Sequence, residues 1–260
     1  MDHLQRTRQE FTRQATGFAA SAATTDQSQV ARLVEAIGDS ARWRVLDLAC
    51  GPGIVTSALA ERAQEVVALD LTPRMLAKAR ERCAKAGQTN VMFTEGSATA
   101  LPFADAGFDA VITRLSFHHF LEPNAVLKEM LRVLRPGGTV AVADVVSAEE
   151  PDKSDLQNAI ESLRDPSHVR MLPRSELVAL VAKSGVMIER QETWDKPRQF
   201  EEWVGIVANP ERVAPLRTVV RALALAGADA GMGLSLRDGA VHFFHRWQLV
   251  VARKNCMPSA

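Results

Sequence analysis

The sequence predicts an α/β fold, a mostly parallel sheet with helices on both faces, from three observations. Short apolar runs alternate with helical patterns between residues 44 and 146, and that rhythm builds parallel βαβ units. The runs are nearly all apolar rather than alternating, as befits strands covered on both faces. A Gly51-Pro52-Gly53 turn follows the first run directly, at the carboxyl end of a strand, where ligands bind in such sheets.

The elements follow in order. Residues 1–40 read as helical, with Phe11, Phe18, Val30, Leu33, Val34 and Ile37 spaced mostly for helix faces. Strands are expected at 44–49, 66–71, 91–95, 110–113 and 139–146, and helices at 54–65, 73–86 and 125–134. The second helix has Pro73 in its first turn and Gly87 just past its end, the expected asymmetry. After Val146 the rhythm loosens. A short helix is expected within 151–166, a helix at 173–184 ended by Gly185, a strand at 186–193, helices at 200–207 and 210–226, and a long strand at 240–252. This makes seven strands. It divides the chain into an N-terminal helical lid at 1–40, a cofactor-binding core at 41–146, and the remainder of the core at 147–260, with cap insertions at 147–172 and 196–238.

Composition narrows the function. The 260 residues carry 31 Lys+Arg against 31 Asp+Glu, a formal net charge of zero. Nothing in that balance favours nucleic acid or an anionic membrane as partner. Cys50, Cys83 and Cys256 are odd in number and far apart, which disfavours a disulfide framework or a structural zinc site. The first thirteen residues are polar, without the apolar centre of a signal peptide. The weakly charged stretch 222–236 is too short to span a bilayer. A cytoplasmic protein is expected, with no metal and either monomeric or homodimeric.

The first motif is Val45-Leu46-Asp47-Leu48-Ala49-Cys50-Gly51-Pro52-Gly53. Gly51 and Gly53 permit backbone angles closed to other residues and close approach by a ligand. The third glycine of a dinucleotide fingerprint is missing from Gly51-Pro52-Gly53-Ile54-Val55-Thr56, so a pyrophosphate site is disfavoured. Asp47 lies inside an apolar strand, where a carboxylate is expensive unless paired. Asp70 ends the second strand, about 20 residues past the glycines, the distance of a ribose-binding acid. Its carboxylate can accept from both ribose hydroxyls, and Thr72 is then expected to cap the helix that begins at Pro73.

This pair resembles the nucleoside-binding signature of class I methyltransferases, and the resemblance continues. Gly96-Ser97-Ala98-Thr99-Ala100-Leu101-Pro102-Phe103 is similar to that family's third motif. Phe108-Asp109-Ala110-Val111-Ile112 resembles its fourth strand, His118-His119-Phe120 the segment after it, residues 127–138 its fifth block, and residues 175–185 a later helix. The ubiquinone/menaquinone-biosynthesis-like small-molecule group is the nearest in appearance, over about residues 40–200. The resemblance implies a Rossmann-like seven-stranded sheet and S-adenosylmethionine as cofactor. It implies that Asp47 lies near the methionine ammonium and that Ala49, Gly51 and Gly53 present backbone to the methionine and ribose. Asp70 would hold the ribose, Leu71 and Met75 would flank the adenine, and Arg114 would offer main chain to the methionine. The position of Ser97 is usually Asp in the family. The hydroxyl of Ser97, a weaker acceptor than a carboxylate, or the backbone of Ala98 would then meet the adenine amino group.

Transfer from an activated methyl donor is largely a matter of positioning. A base helps where the acceptor must lose a proton, and the candidates are His119, His118 and the strand-end Asp144. His168, His242 and His245 read as structural or pocket-lining. Trp194, Trp203 and Trp247 read as core or as the wall of a substrate pocket. A small-molecule acceptor methylated at O or C is the expected substrate. Two alternatives stand beside it. One is a non-catalytic cofactor-binding or scaffold protein. The other is a nucleic-acid or protein methyltransferase, against which the segment Thr113-Arg114-Leu115-Ser116 counts, since it lacks an Asn/Asp-Pro-Pro-aromatic loop.

Overall fold

The computed structural model describes residues 1–38 and 40–256. The chain opens with α1 (His3–Ala20), the short α2 (Ala22–Thr25) and α3 (Gln27–Ala36). It then alternates through β1 (Arg44–Leu48), α4 (Ile54–Ala60), β2 (Glu65–Asp70), α5 (Pro73–Lys85), β3 (Val91–Glu95), β4 (Phe108–Arg114), α6 (Pro123–Val133) and β5 (Leu134–Val146). The second half runs α7 (Pro151–Arg164), α8 (Arg174–Ala182), β6 (Val186–Gln199), α9 (Phe200–Gly205), α10 (Pro210–Leu225), β7 (Ser235–Arg237) and β8 (Ala240–Lys254).

The strands form one sheet in the order β3-β2-β1-β4-β5-β8-β6, with β7 paired to β8. The first five are parallel, and β8 runs antiparallel between β5 and β6. The seven expected strands are all present, and the architecture is α/β and Rossmann-like. After β1 the chain moves to β2 on one side, then returns to β4 on the other. The crevice opens at that reversal, outside the carboxyl ends of β1 and β4. Burial on the two faces of the sheet drives the layering. Leu46, Leu48, Val111 and Val140 pack against α6 and α8, while Val45, Ile112 and Ala141 pack against α3 and α4. A third apolar cluster joins Ile160, Phe200, Trp203, Leu216, Val220 and Phe243, so α7, α9 and α10 build a core of their own beside the sheet.

Four elements differ from expectation, the first being β5, which begins at Leu134 rather than at 139. The helix expected over 54–65 stops at Ala60, because the Asn90 side chain donates to the carbonyls of Ala60 and Ala63 (2.9 and 3.0 Å) and takes the place of the next turn. The strand expected at 186–193 runs on to Gln199, because β8 offers a partner along its whole length as far as His242. Strand β7 lies within the segment read as cap. It is one arm of a hairpin turned at Asp238-Gly239, both in the left-handed region, a dipeptide suited to tight hairpins.

Helix α1 lies over the crevice and is firmly seated. Gln14 and Ala15 are fully buried. A Cβ on Gly17 would come within 2.8 Å of the carbonyl oxygen of Ile206, so only glycine lets α1 approach the end of α9 this closely.

Candidate active site

A cavity of about 320 Å³ occupies the crevice, with the β1 and β4 ends as floor and α1 as roof. Of the residues expected to hold a ligand, Asp47, Ala49, Gly51, Asp70, Leu71, Met75, Ser97, Ala98, Arg114 and His119 line it. Gly53, His118 and Asp144 do not.

The glycine turn splits into two jobs. Gly51 has a φ of 53°, and a Cβ there would meet no protein atom within 4 Å, so its backbone faces open cavity. Gly53 has a φ of 75°, and a Cβ there would lie 2.7 Å from Cα and Cβ of Ala79. Gly53 therefore lets α4 pack on α5 and is not a cavity residue. Ala49 and Leu115, both on the rim, also adopt left-handed φ of 55°. Non-glycine residues held this way are strained, and such strain gathers at functional sites.

The two acids are buried side by side. Asp70 Oδ2 accepts from the Gly51 amide at 2.8 Å and Oδ1 from the Thr72 amide at 2.8 Å. These bonds fix the carboxylate at the mouth of the turn and leave each oxygen a lone pair for a ligand. The expected cap from Thr72 is not made: α5 has no side-chain cap, and Thr72 Oγ1 is buried without a hydrogen-bond partner. Asp70 instead takes the amide of Thr72, the residue just before the helix. Asp47 Oδ2 accepts from Thr56 Oγ1 at 2.5 Å. Burial pushes Asp47 up to about 7, with the charge of Asp70 adding and Thr56 opposing. Burial likewise raises Asp70, against the backbone amides of Thr72 and Gly51.

Ser97 Oγ lies 2.9 Å from Thr99 Oγ1 and accepts from the Thr99 amide at 3.3 Å, so its hydroxyl sits in a local turn at the cavity wall. Arg114 lines the cavity, and its side chain is tied to the protein through one nitrogen. Nη1 donates to the carbonyl of Thr24 at 3.0 Å, and the guanidinium stacks over Trp247. Arg114 thus ties the link between α1 and α3 to the sheet. Burial pushes it down to about 10.

Beyond β4, Phe117–His119 form a 3-10 turn that brings the two histidines to opposite uses. His118 Nδ1 lies 2.6 Å from Asp144 Oδ1. Asp144 Oδ2 accepts from the amides of Ser116, Phe117 and His118 at 3.1, 2.6 and 3.3 Å. Asp144 thus anchors this turn, and it does not line the cavity. Burial would raise Asp144 and lower His118. Their mutual attraction outweighs it, so Asp144 is lowered and His118 raised.

His119 does face the cavity. Its Nδ1 lies 3.0 Å from the carbonyl oxygen of Ser167. A carbonyl only accepts, so Nδ1 carries the proton and Nε2 keeps the lone pair. Nε2 makes no hydrogen bond among the described residues. Burial, then the neighbouring His118, pushes the ring down to about 3, so it is neutral near pH 7. Phe11 of α1 meets the ring edge-on with centroids 4.8 Å apart.

Sequence reasoning missed part of the roof. His3, Leu4 and Thr7 line the cavity beside Phe11 and Phe18, and His3 Nε2 lies 2.8 Å from the His119 carbonyl. The spacing 3, 7, 11, 18 marks one helix face and was the available signal. Among the remaining candidates, His168 bonds Asn158 Oδ1 at 2.9 Å and His245 is buried near Glu161. Trp203 belongs to the cap core, and Trp194 stacks on Trp247. None of the five residues His168, His245, Trp194, Trp203 and Trp247 lines the cavity.

These features fit S-adenosylmethionine. The cavity sets a buried acid, a bare glycine backbone and an apolar wall of Leu71 and Met75 along one side. That matches the hydroxyls, close contacts and ring of a nucleoside with a positively charged tail.

Comparison with known proteins agrees. The family model described as "Methyltransferase domain" matches residues 45–138. The uncharacterized methyltransferase YcgJ of Bacillus subtilis is 33% identical over 164 residues, 63% of this chain and 65% of that protein. Its crystal structure superposes with a TM-score of 0.81 at 26% identity, covering 88% of this chain and 99% of that one. The uncharacterized protein YafE of Escherichia coli is 35% identical over 159 residues, 61% of this chain and 77% of that protein. The demethylmenaquinone methyltransferase of Renibacterium salmoninarum is 41% identical over 112 residues, 43% of this chain and 45% of that protein. The matched segment thus spans a little under half to three quarters of these curated relatives. The chain belongs to the class I S-adenosylmethionine-dependent methyltransferases, enzymes whose cofactor is S-adenosylmethionine.

Proposed function

We propose that this protein transfers a methyl group to a small-molecule acceptor at oxygen or carbon, with His119 taking the acceptor's proton. The observation that carries this reading is the presence, in the lining of one roofed cavity, of both Asp70 and His119 with its free Nε2. When bound, S-adenosylmethionine supplies a methyl group on a sulfonium sulfur. Asp70 holds the ribose hydroxyls, Asp47 faces the ammonium, and Gly51 presents backbone. Ser97 and Ala98 meet the adenine edge, with Leu71 and Met75 along its faces. The main chain of Arg114 meets the methionine end.

On the acceptor side Phe11, Phe18, Leu115, Phe120 and Leu121 provide an apolar wall. A cavity closed over by α1 favours a small molecule over a nucleic acid or a protein chain, as does the zero net charge. The relatives named demethylmenaquinone methyltransferases support the same class. His118 and Asp144 hold the turn that aims His119. In this reading residues 1–40 are the lid, 41–146 the cofactor-binding unit, and 147–260 the rest of the core with its cap. The protein works in the cytoplasm as a monomer or homodimer, with no metal and no membrane or nucleic-acid partner. No helix among the described residues is long and apolar enough to cross a membrane, and burial holds the Cys50 thiol protonated.

The test is to screen phenols, quinols, enols and carboxylates for formation of S-adenosylhomocysteine, then to repeat the best acceptor with His119→Gln. A loss of about 100-fold in turnover is expected, within the usual contribution of a general base. Unchanged turnover removes the proton-transfer role and leaves positioning alone.

A further inference from the structure

A chain of hydrogen bonds runs from His119 to the lid helix, through residues with no part in the assigned chemistry. Ser167 is fully buried, and its Oγ lies 3.2 Å from His119 Nδ1. The same Oγ lies 2.6 Å from Asp165 Oδ1, to which the Ser167 amide also donates at 2.8 Å. A carboxylate only accepts, so the Ser167 proton points to Asp165 and the Oγ lone pairs are left for the Nδ1 proton of His119. The second oxygen, Asp165 Oδ2, accepts from the Gln14 side-chain amide at 2.9 Å, and Gln14 is fully buried in α1. His3, at the other end of the same helix, lies 2.8 Å from the His119 carbonyl.

We propose that Asp165, acting through Ser167 and braced by Gln14 of α1, is the positioning group for His119: it holds the ring as its Nδ1–H tautomer and keeps the Nε2 lone pair turned to the acceptor. The proposal rests on His119 being the proton acceptor. The Ser167 carbonyl, 3.0 Å from Nδ1, favours the same tautomer. Without Asp165 the Ser167 hydroxyl is free to rotate and donate to Nδ1, which competes with that bond and raises the share of the opposite tautomer, with the proton on Nε2 where the acceptor's proton must go. With Asp165 in place that rotation is blocked. When the acceptor's proton passes to Nε2, the ring becomes an imidazolium whose Nδ1–H still points down the chain toward the carboxylate. The carboxylate's negative charge then faces the new positive charge across a single hydroxyl. The bracing by Gln14 makes this arrangement depend on the seated lid, so the base is aligned only when the cavity is roofed.

Two facts argue that Asp165 is more than a loop-former, and a third makes it testable. Its two oxygens are divided, one toward His119 through Ser167 and one toward the lid. The Ser167 hydroxyl and the Gln14 side-chain amide are among the influences that hold Asp165 below the usual carboxylate range, against the upward push of burial. Gln14 Oε1 is buried without a partner, so Gln14 can turn over and accept from an asparagine amide. Asp165→Asn therefore keeps every bond of the chain.

The test reads tautomers rather than turnover. The nitrogen chemical shifts of His119 are measured by long-range ¹H–¹⁵N correlation at pH 7.5, with thermal melts to check folding, in the wild type, Asp165→Ala and Asp165→Asn. The expected result is an Nδ1–H ring in the wild type, a mixture with a measurable share of Nε2–H in Asp165→Ala, and recovery of the wild-type shifts in Asp165→Asn. The double variant Asp165→Ala/Ser167→Ala, which has no rotating hydroxyl, is expected to return to Nδ1–H. An unaltered ring in a folded Asp165→Ala overturns the proposal. So does an Nε2–H ring in the wild type, whatever the variants do. Failure of the base assignment shows itself separately, as full turnover in His119→Gln while these shifts behave as stated.

Discussion

His118 Nδ1 and Asp144 Oδ1 lie 2.6 Å apart, and the other oxygen of Asp144 gathers the amides at the start of the same turn. One side chain thus sets both the backbone and the ring that precede His119. Asp144→Ala leaves four amides, those of Ser116, Phe117, His118 and Val145, and the half-buried imidazole of His118 without this acceptor. It is expected to lower stability by about 3–5 kcal/mol, as loss of one partner from a buried pair does, and to lower turnover with it. Chemical denaturation checks the first effect. If stability holds while turnover alone falls, Asp144 acts in the chemistry rather than in the fold.

The same pair makes stability depend on pH in a stated direction. Asp144 lies below its ordinary 3.8 in the fold, so its contribution is present above 3.8 and is lost as pH falls through the lowered value. His118 lies above its ordinary 6.5, so its contribution is complete below 6.5 and is lost as pH rises through the raised value. The melting-temperature gap between wild type and Asp144→Asn is expected to be widest around pH 5–6 and to narrow by pH 9. A gap that widens toward pH 9 contradicts the pairing.

Asp47 behaves in the opposite sense. Its folded-state value of about 7 against an ordinary 3.8 makes it a cost that grows as pH rises through that interval, about 4 kcal/mol when fully ionised. Asp47→Asn keeps an acceptor for Thr56 and removes the charge. The ligand-free variant is expected to melt above the wild type at pH 9 and close to it at pH 4. Its affinity for S-adenosylmethionine should fall, because the ammonium loses its counter-ion. Melts with and without the cofactor report both effects.

The two glycines of the turn are expected to fail differently. Gly51→Ala places a methyl in the open cavity and costs stability only through its left-handed backbone, about 1 kcal/mol, while cofactor binding is blocked. Gly53→Ala drives a methyl into Ala79 and is expected to cost about 2–4 kcal/mol, with the affinity of the molecules that remain folded unchanged. Paired melts and titrations of the two variants separate these outcomes.

Removing residues 1–25 takes away the roof. Phe11, Phe18 and His3 leave the cavity, and the acceptor for Arg114 at Thr24 goes with them. Affinity for the cofactor is expected to drop by at least about tenfold, the equivalent of 1.4 kcal/mol. Unchanged affinity in a folded truncation removes α1 from the cofactor site.

The sheet was legible because parallel strands buried on both faces, such as Val66–Leu69, read as unbroken apolar runs. Part of the cavity lining was legible because Asp47, Gly51 and Asp70 break that pattern at or near strand ends. What escaped depends on partners distant in sequence. Asn90 ends α4 from thirty residues away, and β6 continues to Gln199 because β8 reaches that far. Nor does spacing reveal that the amides of Ser116, Phe117 and His118 converge on one oxygen of Asp144. Asp165 and Ser167 carry no periodic signal, and their link to Gln14 exists only once α1 has folded back over 151 positions of chain. The hairpin of β7 was missed although Asp238-Gly239 announced it, because the surrounding segment lacks an alternating apolar pattern.

The most direct measurement is a calorimetric titration of the purified protein with S-adenosylmethionine and S-adenosylhomocysteine, beside Asp70→Ala. The account predicts micromolar binding of both ligands to the wild type and at least about a hundredfold loss in the variant, since two hydrogen bonds to a charged acceptor disappear together. Absence of binding to the wild type, or affinity unchanged in Asp70→Ala, contradicts the assignment of this cavity to the cofactor.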